Sequence, residues 1–139
     1  MTLPNTFKAP LLPLACPTLL GCSNNPPGVL VEQLLKTDKT WDGATYAPYP
    51  AGQPELTVLK ITIPAKTALN WHSHPMPNIA YVLSGELRIE TRDGKHTTTV
   101  QAGQVLPEVI NTVHRGISTD KPVELIVFYA GTPGMPLSQ

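Results

Sequence analysis

Three histidines stand at spacings from which they could share one metal ion. His72 and His74 lie within the segment 71–75 (WHSHP), and His114 follows 40 residues after His74. Because alternate side chains of an extended strand face the same side, His72 and His74 would present both imidazoles to one face of a sheet. His114, on a separate strand, could reach back to that face. Three imidazoles and an oxygen ligand suit a first-row transition ion such as zinc, iron, manganese, nickel or copper.

Two further polar residues are relevant to this site. One lies close to these histidines in the sequence, and the other is also a histidine. Asn78 comes four residues after His74 and has the same strand parity, although Pro75 and Pro77 can shift the register between them. The fourth histidine, His96, lies beside a predicted turn, and we expect it to be exposed. The candidate metal ligands are therefore the three spaced histidines and Asn78.

Short strands separated by turns must position these residues. Alternating apolar runs rich in β-branched side chains predict strands over residues 56–63, 79–83, 86–92, 96–100, 105–106, 112–117 and 123–129. Pro64 ends the first of them, and the Asp93-Gly94 pair predicts a two-residue hairpin turn. Seven short strands with almost no convincing helix predict an all-β, antiparallel sandwich or barrel.

The composition agrees with a compact β domain and excludes some partners. The chain has 139 residues with 10 basic and 10 acidic side chains, so its formal net charge is +0. Its 16 prolines are about twice the usual share of about 5%, which disfavours long amphipathic helices. A neutral chain offers no basic surface for phosphate backbones, so we expect no nucleic-acid partner.

The first 28 residues differ from the rest of the chain. Lys8 is the one charged residue before residue 32, and residues 19–22 (LLGC) resemble a bacterial lipobox ending at Cys22. One interpretation is an export leader with lipidation at Cys22, which predicts a periplasmic or cell-envelope protein. The other is an extended arm on a cytoplasmic protein, because three prolines interrupt the apolar stretch. Cys16 and Cys22 are the only cysteines, so no disulfide framework ties the later domain together.

Residues 29–37 (VLVEQLLKT) begin the main domain, which we predict to extend over 29–139. Their apolar spacing fits a short helix or an extended strand equally well. As a strand, the segment could extend the sheet of a second copy and cover an exposed edge. The segment therefore contributes to the prediction of a homodimer.

Residues 64–129 resemble a small single-domain cupin of the RmlC-like, cupin 2 type. The first cupin motif runs His-x-His, three or four residues, Glu, six residues, Gly, and this sequence matches it with His72, His74, Asn78 and Gly85. The second motif runs from a Gly to a His eleven residues later, and Gly103 and His114 keep that spacing. The resemblance implies a jelly-roll barrel, the antiparallel double-stranded β-helix, preceded by an irregular or extended N-terminal arm. It also implies a metal held by the three histidines.

The sequence departs from the cupin pattern at several positions. Asn78 replaces the acid of the first motif, Val109 and Asn111 replace the Pro and Gly of the second, and Ser118 stands in the place of its Asn. The flanking pieces 41–43 and 128–131 resemble a bacterial subgroup of cupins that often carry export leaders. A neutral amide binds a divalent ion more weakly than a carboxylate does and leaves the site net cationic.

The missing acid leaves two interpretations of the site. Either the centre has three histidine ligands with Asn78 as a weak or outer partner, or another acid takes its place. Glu108, six residues before His114, is the candidate near the second motif, either as a fourth ligand or as a general base. Alternatively, Glu108 is an ordinary solvated carboxylate on the surface.

The resemblance implies a function class without naming a reaction. The leading hypothesis is a metal-dependent enzyme acting on a small organic molecule, of oxygenase, isomerase or lyase type, with dioxygenase-like chemistry first among these. Its cofactor would be a divalent transition metal, and Glu108 would move a proton. The alternative is a non-catalytic envelope protein that binds a small ligand or a metal. We expect a membrane association only through a lipid on Cys22.

Overall fold

The structure is a computed structural model that describes residues 26–139. The chain divides into two units, residues 1–31 and 32–139, and all the strands described belong to the second. Cys16, Cys22 and the lipobox lie outside the described residues, so the leader and the arm both remain predictions. From residue 26 onward the structure has no helix long and apolar enough to cross a membrane.

Within residues 26–139, seven strands, paired antiparallel throughout, form two sheets. In chain order they are β1 (Glu55–Ile63), β2 (Asn78–Ser84), β3 (Glu86–Thr91), β4 (Thr97–Gln101), β5 (Val105–Pro107), β6 (His114–Ser118) and β7 (Val123–Gly131). The larger sheet has the order β1-β7-β2-β5, and the smaller has the order β4-β3-β6. The all-β, antiparallel architecture predicted from the sequence is confirmed.

The core lies between the inward faces of the two sheets. Every second residue of β7 from Val123 to Tyr129 is buried, which is the period of a strand with one face against a core. The inward residues of β2 lie beside them in the same sheet, and those of β3 come from the opposite sheet. The main cluster of buried apolar side chains consists of Ile63, Met76, Ala80, Val82, Leu87, Ile89, Val100, Leu106, Val123, Leu125, Val127 and Tyr129.

An irregular extended segment, residues 68–74, continues the smaller sheet beyond β6. Ala68 forms an isolated antiparallel bridge with Ile117, and His72 forms another with His114. The amide of Leu69 also donates to the carbonyl of Gly116 at 2.9 Å. This segment brings the WHSHP sequence alongside β6, where His114 begins the strand.

The structure differs from the sequence prediction at two places. Residues 29–37 form neither a helix nor a strand, and all of their apolar side chains are exposed. The Asp93-Gly94 turn is longer than a two-residue hairpin, because the amide of Thr91 donates to the carbonyl of His96 at 3.0 Å. Asp93 accounts for the longer loop, since its carboxylate accepts from the Thr91 hydroxyl at 2.6 Å and from the Lys95 amide at 3.1 Å.

Candidate metal centre

Backbone pairing brings the two histidine motifs together. The amide of His72 donates to the carbonyl of His114 at 3.0 Å, and the amide of His114 donates back to the carbonyl of His72 at 2.9 Å. Residues directly opposite in an antiparallel pair point their side chains to the same face. The carbonyl of His74 accepts from the amide of Asn111 at 2.8 Å, which fixes the second histidine of the motif beside the chain that leads into β6.

The three imidazoles lie close together where the segment 68–74 meets the start of β6. Their ring centroids lie 4.6 Å apart for His72 and His114, 4.9 Å for His72 and His74, and 5.2 Å for His74 and His114. One nitrogen from each ring belongs to a group whose members all lie within 4.8 Å of one another. His74 and His114 are buried, while His72 is half-buried. The predicted trio therefore forms a cluster that could hold a metal ion.

The other nitrogen of each ring is bound to a backbone carbonyl. Nδ1 of His72 lies 2.8 Å from the carbonyl of Asn70, and Nδ1 of His114 lies 2.8 Å from that of Thr112. Nδ1 of His74 lies 2.7 Å from the carbonyl of Leu137. A carbonyl can only accept, so each Nδ1 carries the proton and donates it. The Nε2 atoms are left with free lone pairs, which is the tautomer that a metal ligand requires.

Glu108 lies beside this cluster and is buried. Its Oε2 atom is 3.3 Å from Nε2 of His114, and its side chain is only 12% exposed. The two atoms are close enough for their charges to interact, yet neither has a well-formed hydrogen bond among the described residues. The loop that carries Glu108 is fixed at two points, because its amide donates to the carbonyl of Asn78 at 3.1 Å and its carbonyl accepts from the Tyr46 hydroxyl at 2.8 Å.

Asn78 lies at the inner start of β2 and is 2% exposed. It pairs with Tyr129 of β7, whose ring centroid is 5.7 Å from that of His74. The amide nitrogen of Asn78 donates to the carbonyl of Met76 at 3.3 Å, but Oδ1 has no partner among the described residues. A buried amide oxygen without a partner costs stability unless something outside the protein atoms binds it.

Burial and the charge of Glu108 set the proton affinities here. Burial lowers the pKa of His74, so its imidazole is the neutral form that binds metals. Burial also opposes the charged form of His114, but the adjacent Glu108 carboxylate outweighs it and raises the pKa of His114. Burial first, and then the same carboxylate, raises the pKa of the Tyr129 phenol. The Glu108 carboxylate therefore affects the proton affinity of two groups that line the site.

His96 and Arg115 lie away from the site. His96 is exposed, as predicted. Arg115 points to the opposite face of β6 from His114, where its guanidinium is 2.7 Å from Glu90 and stacks 4.2 Å above the ring of Trp71. This ion pair and this stacking hold the outer face of the smaller sheet rather than the metal cluster.

Sequence reasoning missed three groups at this site. Tyr129 packs against His74, the Tyr46 hydroxyl fixes the Glu108 loop, and the carbonyl of Leu137 binds His74. The inward parity of Tyr129 along the 123–129 strand was a usable signal. The other two arise from chain segments that meet only after folding, and nothing in their local sequence indicates the contact.

The donor set fits a divalent transition ion. One nitrogen from each of three imidazoles belongs to the cluster, and a carboxylate oxygen and an amide oxygen that have no partner among residues 26–139 lie on buried residues around them. Imidazole with carboxylate suits borderline ions such as Zn²⁺, Fe²⁺ or Ni²⁺. Buried polar atoms without a protein partner are also what a site built for an ion presents.

Comparisons with known proteins agree with this architecture. Residues 59–129 match the family model described as the cupin domain. Among the curated proteins, none matches significantly. A cupin-like protein from Thermotoga maritima superposes with a TM-score of 0.51 and 20% identity, over 60% of this chain and 62% of that chain.

Two solved enzymes have the same fold. DMSP lyase DddQ from Ruegeria pomeroyi gives a TM-score of 0.52 and 21% identity, over 58% of this chain and 41% of that one. The polyketide cyclase RemF from Streptomyces resistomycificus gives 0.52 and 15%, over 60% of this chain and 58% of that one. The chain spans less than two thirds of the length of each of these structures. At such identities the likeness shows the fold alone.

Proposed function

The chain belongs to the cupin domain family, and we propose that it binds a divalent first-row transition ion and acts with it on a small organic molecule. The ligands are Nε2 of His72, His74 and His114. The observation that carries the proposal is that one nitrogen from each ring lies within 4.8 Å of the other two while every Nδ1 is bound to a carbonyl. A surface pair of histidines has no need of such matched tautomers.

When bound, the ion supplies a Lewis acid or an oxygen-activating centre. The residues of the chain bind the ion, exclude water and move protons. His74, His114, Asn78 and Tyr129 enclose the inner side of the site, while half-buried His72 marks the side that a small molecule can approach. Glu108 can accept a proton from a group beside His114, because no donor in the described part of the chain is bonded to its Oε2.

The proposed substrate class is a small organic molecule. Buried side chains fill the barrel between its sheets, which leaves no room there for a polymer. A DMSP lyase and a polyketide cyclase share the fold, and their names describe reactions on small molecules. Oxygenase, isomerase and lyase chemistry are all compatible with one ion and one carboxylate, and dioxygenase-like chemistry is the form that oxygen uptake tests directly.

Metal content and turnover test the proposal together. Purified protein should contain about one transition-metal ion per chain by plasma mass spectrometry, and a chelator should remove it. The reloaded protein is then screened with small organic substrates for product and for oxygen uptake, with the chelated protein as the control. Absence of stoichiometric metal after loading would overturn the metal site. Binding of small ligands without any turnover would favour the non-catalytic alternative over the enzyme.

Replacing Glu108 by glutamine separates a proton-transfer role from a ligand role. Glutamine keeps the shape of the side chain but cannot accept a proton, so turnover should fall by about 100-fold or more while metal content stays the same. Plasma mass spectrometry and the turnover assay measure the two effects on one preparation. Loss of the metal in Glu108→Gln would instead make Glu108 a ligand. Unchanged turnover would remove it from the mechanism.

We also propose that the chain forms a homodimer through the larger sheet. Edge strand β1 exposes Leu56 and Val58 on its outer face, at 63% and 60%, and Ile79 of β2 is exposed on the same sheet. A second copy would cover this apolar face and pair or shield the free edge. Light scattering should give twice the chain mass, and Val58→Lys should shift the protein to monomer. A monomeric wild-type protein at every concentration would contradict the proposal.

A further inference from the structure

The chain after β7 turns back to lie against the metal-ligand segment. Residues 132–139, named here the tail, begin with a turn in which the amide of Met135 donates to the carbonyl of Thr132 at 3.1 Å. At the other end, Ser73 and Gln139 exchange two backbone hydrogen bonds, both 3.0 Å long. Ser73 lies between His72 and His74. The segment that carries these ligands is therefore held by β6 on one side and by the tail on the other.

The tail also makes a direct contact with one ligand. The carbonyl of Leu137 accepts from Nδ1 of His74 at 2.7 Å, across 63 residues of sequence. His72 and His114 use a different arrangement, since each binds the carbonyl two residues before it in its own segment. Only His74 depends on a distant part of the chain for its tautomer and ring orientation.

Apolar packing holds the tail in place. Met135 and Leu137 are half-buried and pack against the core, whereas Pro136 and Ser138 between and after them are exposed. This alternation directs Met135 and Leu137 inward and sets the backbone of the tail along residue 73. Removing the Leu137 side chain should therefore release the carbonyl that binds His74.

From these contacts we propose that the tail is a positioning element of the metal centre, acting through the Leu137 carbonyl on His74. The inference rests on the proposed metal binding for its effect on affinity, but the tautomer of His74 is a property of the protein without metal. A carbonyl acceptor fixes Nδ1 as the protonated nitrogen and leaves Nε2 free for the ion. Without it, the ring can rotate and can carry its proton on Nε2.

Leu137→Ser tests the proposal, with Ile61→Ser as the matched control. Both residues are half-buried and pack against the same core. Ile61 is on β1 and pairs with Leu125 of β7, whereas the histidines cluster near Tyr129, closer to the end of β7. Zn²⁺ is titrated against each variant of the 139-residue chain in competition with a chromophoric chelator. Leu137→Ser should weaken Zn²⁺ binding by about 10- to 100-fold, the usual cost of losing an outer partner of a ligand. Ile61→Ser should bind Zn²⁺ like the wild type.

Nitrogen-15 NMR of the metal-free imidazoles gives a second readout. Wild-type His74 should be protonated at Nδ1, and Leu137→Ser should give a mixture of tautomers at His74 while His72 and His114 stay unchanged. Faster exchange of the Ser73 amide verifies that the tail has detached. A variant lacking residues 135–139 removes the Leu137 carbonyl altogether. It is used for the same measurements if Leu137→Ser leaves the tail in place.

The outcomes separate this inference from the proposed function. Wild-type protein that binds no Zn²⁺ defeats the proposed metal site, and the tautomer of His74 then decides the positioning contact alone. Wild-type protein that binds Zn²⁺, together with a tail-deleted variant of equal affinity and unchanged His74 tautomer, overturns the inference and leaves the metal site intact.

Discussion

His72→Ala and His114→Ala should each abolish stoichiometric metal binding, whereas His96→Ala should leave it unchanged. Each of the first two removes one of three nitrogens that meet within 4.8 Å, and two imidazoles cannot hold the ion against water and buffer. We expect the Zn²⁺ affinity to fall by more than about 100-fold, beyond the loss caused by removing an outer partner. Competition titration and plasma mass spectrometry measure the loss.

The three variants also control for damage to the fold. His96 is exposed, so His96→Ala accounts for any nonspecific effect of removing an imidazole. His72 is half-buried and His114 is 2% exposed, so only His114→Ala leaves a buried cavity. Equal metal loss in both variants, with only the second one less stable to urea, would assign the loss to ligation. Full metal occupancy in His72→Ala would contradict the three-histidine site.

The histidine cluster could be predicted because its signals are local and periodic. Parity places His72 and His74 on one face, and the resemblance to the cupin motifs supplies the partner, His114. Burial was harder to foresee. Glu108 could have been an ordinary surface carboxylate, and only the fold shows that its loop bends inward beside His114.

Contacts between distant segments explain what the sequence could not indicate. The Leu137 carbonyl and the Tyr46 hydroxyl reach the site across 63 and 62 residues, and neither has a pattern in its own neighbourhood that indicates the contact. The ambiguity of residues 29–37 has a related cause. Their apolar spacing fits two structures, and without a partner strand among the described residues they form neither.

Gly85→Ala should destabilise the fold far more than Gly103→Ala, although both glycines belong to the cupin motifs. Gly85 has a φ of 82° and Gly103 a φ of 86°, so both occupy the left-handed region that side chains disfavour. A Cβ at Gly85 would lie 2.3 Å from the carbonyl oxygen of Pro122 and 3.1 Å from Cα of Val123. A Cβ at Gly103 would meet nothing within 4 Å.

The difference in the free energy of unfolding between the two variants separates the cost of the Cβ clash from the cost of placing alanine in the left-handed region. Alanine in the left-handed region costs about 1–2 kcal/mol, partly offset by a less flexible unfolded chain, and that sum applies at both positions. At Gly85 the obstacle is backbone at the start of β7, which cannot move without disturbing its pairing with β1 and β2. We expect a loss of about 3–5 kcal/mol for Gly85→Ala and about 1 kcal/mol for Gly103→Ala.

Urea unfolding followed by circular dichroism measures both losses on the metal-free protein, so a bound ion does not mask them. Equal urea midpoints for the two variants would show that the start of β7 can shift at little cost. The left-handed φ alone would then account for both motif glycines. A much lower midpoint for Gly85→Ala would mean that the two glycines serve different ends. Gly103 then allows a turn, whereas Gly85 allows β7 to pass close to the turn between β2 and β3 and closes the barrel that carries the histidines.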